Sequence, residues 1–328
     1  MIARMSFFNI RAALALVSFA ILVAQPADAL AQIYPVRPVR IILPYLGSTE
    51  FAGRWIAAKL SPALGQQVVV DPRPGAGGKI GHELLAKSAP DGYTLMLGAP
   101  PLVINPLLYP EAGRDALRDF APIAILGTIP SVLAVHPSVP AKSLRELVQL
   151  ARSNPGKLTY GSGAPGSPSH LAGELLKSLG KIDILLVPYK GASFALIGAM
   201  SGEVDVVIPA ASAVEPYVKD NRMRALAVLN TKPVNSMPGV PTAAEAGMPQ
   251  LLVVNWFVLA APAGTQRAII DRLNSEVTKI MQTQESLQHF AALGGEVVTT
   301  TPEQAAAFVR EEYVRWGKVI REANIKVQ

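Results

Sequence analysis

The segment Leu158-Thr159-Tyr160-Gly161-Ser162-Gly163-Ala164-Pro165-Gly166-Ser167-Pro168-Ser169 decides the fold class of this chain. Its first three residues predict a short strand, its glycines and serines predict a loop, and the apolar periodicity of residues 171–179 predicts a helix. A strand that enters a helix through a glycine-rich loop is a typical unit of open α/β sheets. The sequence therefore predicts an α/β fold.

The same alternation of strand and helix runs along the rest of the chain. Alternation of this kind predicts mostly parallel sheets flanked by helices on both faces. Helix starts are further indicated by Ser143 with Glu146 and by Thr301 with Gln304, which have the spacing of capping boxes. Strands are predicted at residues 39–43, 68–70, 94–97, 123–126, 132–135, 158–160, 184–187, 204–208, 225–228 and 254–259, and helices at 51–64, 144–153, 171–179, 195–201 and 269–281.

Residues 1–31 have the pattern of a cleaved secretory signal peptide. Arg4 and Arg11 precede an apolar run at 12–24, and alanines follow it. The run is shorter than the roughly 20 apolar residues that cross a bilayer, which favours cleavage over a membrane anchor. Two A-x-A sites overlap at 27–31, and the second leaves a mature chain that starts near Gln32. Export to the periplasm is predicted.

Composition excludes several classes of function. The 328 residues carry a net charge of +6 and no cysteine, so disulfides, thiolate metal sites and cysteine nucleophiles are excluded. No run of Lys and Arg is present, and nucleic acid is therefore not an expected partner, whereas the mild positive charge favours a small anion. The four histidines lie far apart without ligand spacing. Neither a metal nor a cofactor is predicted.

The loop at 161–166 matches G-x-G-x-x-G, the dinucleotide fingerprint, but fails its further requirement. An acidic residue should follow the next strand about 20 residues on, whereas Asp183 precedes that strand. The favoured interpretation is a loop whose backbone N–H groups and serine hydroxyls face an anion at a helix N-terminus; a plain turn is the alternative. Ser169-His170 lacks a G-x-S-x-G elbow, and no catalytic residue is predicted.

A second candidate loop, Tyr45-Leu46-Gly47-Ser48-Thr49-Glu50, lies between the predicted strand at 39–43 and the helix at 51–64. It offers another helix N-terminus with free N–H groups, and simple capping by Ser48 or Thr49 is the competing interpretation. The glycine-rich segment 74–79 departs from the Walker A pattern at Arg73 and Ile80. It is interpreted as an ordinary turn into a helix.

Taken together, segments spread over residues 34–265 resemble the substrate-binding proteins of tripartite tricarboxylate transporters, also called Bug receptors. The order and spacing of these segments carry the resemblance, since each one alone is weak. They are Tyr34-Pro35 with Pro38, Asp71-Pro72-Arg73-Pro74-Gly75-Ala76-Gly77-Gly78, Pro90-Asp91-Gly92-Tyr93-Thr94-Leu95, Asp119-Phe120-Ala121-Pro122, Pro155-Gly156-Lys157-Leu158-Thr159-Tyr160, Ser169-His170-Leu171-Ala172-Gly173-Glu174, Val187-Pro188-Tyr189-Lys190-Gly191, Pro241-Thr242-Ala243-Ala244-Glu245-Ala246-Gly247 and Ala261-Pro262-Ala263-Gly264-Thr265.

The resemblance implies a type II periplasmic binding protein fold with two lobes. Its members are receptors, not enzymes, which hold a small carboxylate between the lobes and deliver it to a membrane permease; a monomer is expected. Extended segments at 131–136 and 255–260 precede proline-containing turns and predict the lobe boundaries. Lobe 1 comprises residues 32–131 and 256–328, and lobe 2 comprises 132–255. A secreted hydrolase on a similar scaffold, or a sensing or interaction protein with a decayed pocket, remains an alternative.

The resemblance also assigns a ligand-binding set, which contains Tyr45, Gly47, Ser48, Thr49, Ser162, Gly163, Gly166, Ser167, Ser169, Tyr189, Lys190, Gly191 and Pro209. Two departures from the family pattern bear on the ligand. The first loop is two residues shorter and ends in Glu50, and small apolar residues stand at 208–211 where polar groups are usual. Since a second or third carboxylate would find no partner there, we expect an acid with one anchored carboxylate and an apolar or aromatic body, not a citrate-like tricarboxylate.

Overall fold

A computed structural model describes residues 34–109, 115, 117–163 and 166–325. The described residues from Arg37 onward form one compact unit. The predicted signal peptide at 1–31 lies outside the described residues, as do Ala164 and Pro165 of the glycine-rich loop. No helix in the described ranges combines the length and apolar character needed to cross a bilayer.

The first sheet has six strands in the order β11-β4-β10-β3-β1-β2. β1 pairs in parallel with β2 and β3, while β10 runs antiparallel between β3 and β4, and β11 is antiparallel to β4. Strands β1 to β4 therefore point the same way, and the sheet as a whole is mixed. The bounds are Val39–Leu43 for β1, Val68–Pro72 for β2, Thr94–Gly98 for β3, Phe120–Pro130 for β4, Val254–Pro262 for β10 and Glu296–Val297 for β11.

The second sheet has five strands in the order β7-β6-β8-β5-β9. β6 pairs in parallel with β7 and β8, whereas β5 runs antiparallel to both β8 and β9. This sheet is also mixed, so the expected α/β class is confirmed, with β10 and the edge strand β11 running against the other strands of the first sheet and β5 against those of the second. The bounds are Val132–Val135 for β5, Thr159–Ser162 for β6, Leu185–Pro188 for β7, Val206–Val207 for β8 and Arg224–Val228 for β9.

Helices flank both sheets. The two predicted caps are present: Ser143 Oγ accepts from the Glu146 amide at 3.2 Å, and Thr301 with Gln304 forms a complete capping box. A 3-10 turn at Ala76–Gly78 precedes α2. The helices are α1 Ser48–Leu64, α2 Lys79–Ala86, α3 Pro101–Leu108, α4 Leu144–Ser153, α5 Pro168–Gly180, α6 Ala192–Met200, α7 Ala211–Lys219, α8 Arg267–Met281, α9 Gln284–Ala292 and α10 Pro302–Glu322.

The two connections between the sheets lie side by side. Ser131 is the single residue between β4 and β5, and its amide donates to Val253 O at 3.0 Å, just before β10. The Asn255 side chain donates to Ser131 Oγ at 3.4 Å. One apolar cluster contains buried side chains from both sheets, Ile42 and Tyr160 among them. The predicted lobe boundaries, between 131 and 132 and between 255 and 256, fall at these crossings and remain a prediction.

Candidate functional site

The first candidate loop joins β1 to α1. Gly47 is the N-cap residue of α1 with φ 75°, a left-handed value that glycine adopts without strain. No side chain caps this helix, so the alternative interpretation, capping by Ser48 or Thr49, is wrong. Because the first amides of a helix have no intrahelical acceptor, the N–H groups of α1 are left for another partner.

Tyr45, from the same loop, is held by the glycine turn and α2. Its hydroxyl lies 2.6 Å from Nε2 of the buried His82, and the two rings meet edge to face. The Tyr45 ring also packs directly on Gly78, where a β-carbon would collide with it. Burial of the hydroxyl raises the pKa of Tyr45 well above its ordinary value. Tyr45 is therefore a fixed neutral hydroxyl at the base of the loop.

The second candidate loop, called the serine loop here and comprising residues 162–169, joins β6 to α5. Ser162 and Ser169 are buried, and Ser169 Oγ accepts from the Gly163 amide at 3.1 Å. Ser167 Oγ lies 3.1 Å from Ser169 Oγ and 3.5 Å from Ser162 Oγ. The structure thus brings the three predicted serines together into one cluster of hydroxyls beside the start of α5.

Two members of the serine loop are also engaged by α5 itself. Ser167 is the N-cap residue and accepts from the His170 amide at 3.3 Å. The Gly166 amide donates to Nδ1 of His170 at 3.1 Å. Burial lowers the pKa of His170, against the opposing effect of Glu174, so the neutral imidazole is favoured. A neutral imidazole with an unprotonated Nδ1 is the form that this hydrogen bond requires.

The third predicted loop, residues 189–191, adjoins the serine loop. A β-carbon at Gly163 would lie 3.3 Å from the Ala192 amide nitrogen and 3.6 Å from the carbonyl carbon of Gly191. Gly191 is the N-cap residue of α6, which has no side-chain cap either. Lys190 is exposed. The N-terminal amides of α6 therefore stand next to the serine cluster.

The predicted residues Tyr189 and Pro209 are placed differently from the serines. The Tyr189 amide donates to Ser162 O at 2.8 Å, but its hydroxyl packs against Gly198 on α6. Burial raises the pKa of Tyr189, and neighbouring Glu203 raises it further. The structure does not bring this hydroxyl to the serine cluster. Pro209 is buried just after β8, and its carbonyl accepts from the Val132 amide at 2.9 Å.

Asn105 was not predicted, yet it lies among these loops. It is the only polar residue of α3, and its side chain donates a hydrogen bond to Gly77 O. A β-carbon at Gly166 would lie 3.0 Å from Asn105 Oδ1. The available sequence signal is a single polar side chain within an otherwise apolar helix.

Among the described residues of the serine loop, Ser169 and the adjacent His170 are not arranged as a nucleophile and its base. A serine nucleophile needs a base within hydrogen-bond reach of its hydroxyl, whereas Nδ1 of His170 is bonded to the Gly166 amide and Ser169 Oγ to the Gly163 amide. Within the described ranges, no group of three or more His, Asp or Glu side chains could hold a metal ion. What the loops can offer is N–H donors and hydroxyls to an anion.

Two mixed sheets flanked by helices, with glycine-bearing loops at the helix starts, have the architecture of periplasmic binding proteins. The chain belongs to the family described as tripartite tricarboxylate transporter family receptor, which matches residues 52–325. Protein BugT of Bordetella pertussis is 36% identical over 310 residues, which cover 93% of this chain and 94% of BugT. Members of this family are periplasmic solute receptors.

Solved structures agree on the fold. Rpa4515 from R. palustris with adipate has a TM-score of 0.82 and 34% identity, covering 89% of this chain and 99% of that one. MatC from Rhodopseudomonas palustris with bound malate has a TM-score of 0.77 and 30% identity, covering 88% and 100%. The predicted periplasmic binding protein fold is thereby confirmed.

Proposed function

We propose that this chain is an exported receptor that binds a small organic carboxylate between the β1–α1 loop and the serine loop and delivers it to a tripartite tricarboxylate-type permease. The cluster formed by Ser162, Ser167 and Ser169 carries the proposal, because three hydroxyls in and beside a buried turn form a polar site suited to a ligand oxygen. The acids in two related structures, adipate and malate, support the same ligand class.

Electrostatics favour an anion at this position. The N-termini of α1 and α6 have no side-chain cap, and each helix end acts as a partial positive charge of about +0.5. Hydrogen bonds from such N–H groups to a carboxylate are charge-assisted and roughly twice as strong as neutral ones. The binding set is proposed to remain the one inferred from sequence, with Tyr189 and Pro209 contributing backbone and shape only.

The ligand is proposed to have an apolar body. Leu46 of the first loop, Phe51 in the first turn of α1 and Phe194 near the start of α6 are exposed apolar side chains, at 55%, 63% and 59%. Covering them with aliphatic or aromatic carbon would contribute about 25 cal/mol per Å² removed from water. A citrate-like acid would place carboxylates against the same surface at a cost.

The ligand is proposed to draw the two sheet units together as two lobes, with the hinge at Ser131 and Asn255.

Export is proposed to remove residues 1–31. Intact-mass analysis of periplasmic material would then give a chain that starts near Gln32. A full-length chain recovered from membranes would contradict export as a soluble receptor.

The experiment that tests the function is calorimetric titration of the purified chain with aliphatic, aromatic and polycarboxylic acids, followed by mass analysis of the recovered acid. Saturable binding with the acid recovered unchanged supports a receptor. Recovery of a cleaved or modified compound would support the hydrolase alternative. Absence of binding to every acid in the panel would contradict the carboxylate-receptor proposal.

A further inference from the structure

Asn105 on α3 packs directly against the glycine turn that precedes α2. Its Nδ2 donates to Gly77 O, and a β-carbon at Gly77 would lie 2.8 Å from the same nitrogen. Gly77 has φ 63°, a left-handed value that side chains rarely adopt. Only a residue without a side chain therefore allows this close approach of the amide to the turn.

The other end of the same amide faces the serine loop. A β-carbon at Gly166 would lie 3.0 Å from Asn105 Oδ1 and 3.0 Å from Leu108 Cδ1, and Gly166 has φ 76°. The serine loop follows a strand of the five-stranded sheet, whereas α3 follows β3 of the six-stranded sheet. The Asn105 side chain thus lies between the glycine turn before α2 and Gly166 of the serine loop.

The contact continues to the first candidate loop. Gly78, next to Gly77 in the turn, lies against the ring of Tyr45. A line of contacts therefore runs from Tyr45 through the glycine turn and Asn105 to Gly166. Since packed interiors transmit displacement instead of absorbing it, a shift of Asn105 changes the separation of the two loops.

We infer that Asn105 is a positioning residue that couples the serine loop to the glycine turn and so limits the length of the acid that fits between the two candidate loops. The inference rests on the proposed carboxylate binding. A neutral amide suits both contacts, because it donates to Gly77 O and carries no charge beside an anion site. Asn105→Asp keeps the shape, removes the donor and adds a negative charge.

The first test needs no ligand. A double-mutant cycle of Asn105→Ala and Gly166→Ala is measured by urea unfolding of the purified chain. We expect the destabilisation caused by Gly166→Ala to be smaller in the Asn105→Ala background, since the added methyl then meets one close neighbour, Leu108 Cδ1, instead of two, although the strain of a positive φ remains. Additive effects would overturn the coupling.

The second test measures length selection with succinate, adipate and suberate as probes. Asn105→Ala is expected to shift the ratio of dissociation constants at least threefold in favour of the longer acid, and Asn105→Asp to weaken all three roughly tenfold. Asn235→Ala, at an exposed asparagine, is the matched control and should leave the ratio unchanged. If Asn105→Ala weakened the binding of all three acids equally and left the ratio of dissociation constants unchanged, length selection by Asn105 would be wrong. If the unmodified chain bound none of the acids, carboxylate binding and length selection would both fall, while the unfolding cycle would still decide the coupling.

Discussion

Gly166 donates its amide hydrogen to Nδ1 of His170 across 3.1 Å, so the serine loop closes on a neutral imidazole. Protonation of Nδ1 would remove the acceptor and leave two donors facing each other. Since burial already lowers the pKa of His170 below its ordinary 6.5, the folded chain resists that protonation. The geometry of the serine loop is thereby linked to the charge state of one histidine.

Acidification is expected to weaken both folding and ligand binding through His170. A lowered folded-state pKa means that the unfolded chain binds the proton more readily, so this contribution to stability is present above about pH 6.5 and is lost as the pH falls below it. Affinity for a bound acid measured from pH 8 to pH 5 should fall over that window. His170→Asn should reduce the pH dependence of the affinity. If the pH dependence were the same in this variant, the geometry of the serine loop would not depend on the charge of His170.

The same experiment needs His289 as a control. Its pKa is also lowered by burial, and its ring stacks on Trp55 at 4.1 Å, far along the chain from the serine loop. His289→Phe should alter the pH dependence of the free energy of unfolding and leave that of ligand affinity intact. Amide exchange of Gly166 gives an independent reading, because its protection should decrease only when His170 is protonated or replaced.

Removal of the serine hydroxyls is expected to weaken binding without unfolding the chain. A hydrogen bond to a charged group contributes about 1.5–3 kcal/mol, so Ser169→Ala or Ser48→Ala should raise the dissociation constant roughly tenfold or more. Ser153→Ala, at an exposed position at the end of α4, is the matched control. If the double variant with Ser48→Ala and Ser169→Ala bound the acid with wild-type affinity in calorimetry, the binding site would have to lie elsewhere.

Glu312 on α10 is expected to be a large contributor to stability. Its Oε2 accepts from the indole nitrogens of Trp256 at 3.0 Å and Trp316 at 3.2 Å, and Arg315 pairs with the same carboxylate. Glu312→Ala leaves two buried indole donors without this acceptor, at a cost on the order of 3 kcal/mol in free energy of unfolding. Urea unfolding checks this against Glu311→Ala, at an exposed neighbour on the same helix. Equal midpoints for the two variants would contradict it.

The helices and strands that could be predicted from the sequence are those whose own residues indicate the type of element and its ends. The strand at Val39–Leu43 is a β-branched and aliphatic run, and the helix at Leu144–Ser153 begins at a serine cap, so both have the predicted bounds. The helix at Pro101–Leu108 was missed because it is nearly uniformly apolar and contains Pro106, which removes the periodic pattern that predicts helices. The antiparallel insertion of β10 depends on long-range pairing that no local pattern encodes.

Some residues of the candidate site could likewise be predicted from the sequence, and others could not. The serine cluster was predictable because a strand, a glycine-rich loop and a helix follow one another in the chain. Asn105 was not, since its partners Gly77 and Gly166 lie 28 residues before it and far after it. The direction of the Tyr189 side chain, toward Gly198, was equally inaccessible, because a residue in a loop has no alternation that assigns its face.

Binding of an acid is expected to close the two sheets on each other about Ser131 and Asn255. Of the two connections between the sheets in the described part of the chain, the one from β4 to β5 is the single residue Ser131, and the one from β9 to β10 ends at Val253. The two connections are tied together where the Ser131 amide donates to Val253 O and the Asn255 side chain donates to Ser131 Oγ. Two adjacent crossings form a hinge, whose rotation leaves each sheet intact. Because the chain has no cysteine, Lys87→Cys with Arg145→Cys allows clean spin labelling of two exposed positions, one beside each sheet.

A bound acid should shorten the distance between these labels and lower the radius of gyration in small-angle scattering. Asn255→Ala removes one tie between the crossings without touching either candidate loop, so it should broaden the distance distribution of the ligand-free chain and leave the ligand-bound distance unchanged. Citrate serves as the control ligand, since the proposed pocket disfavours it and it should leave both readings at their ligand-free values. Identical distance distributions with and without a saturating acid would show that the sheets do not move relative to each other on binding.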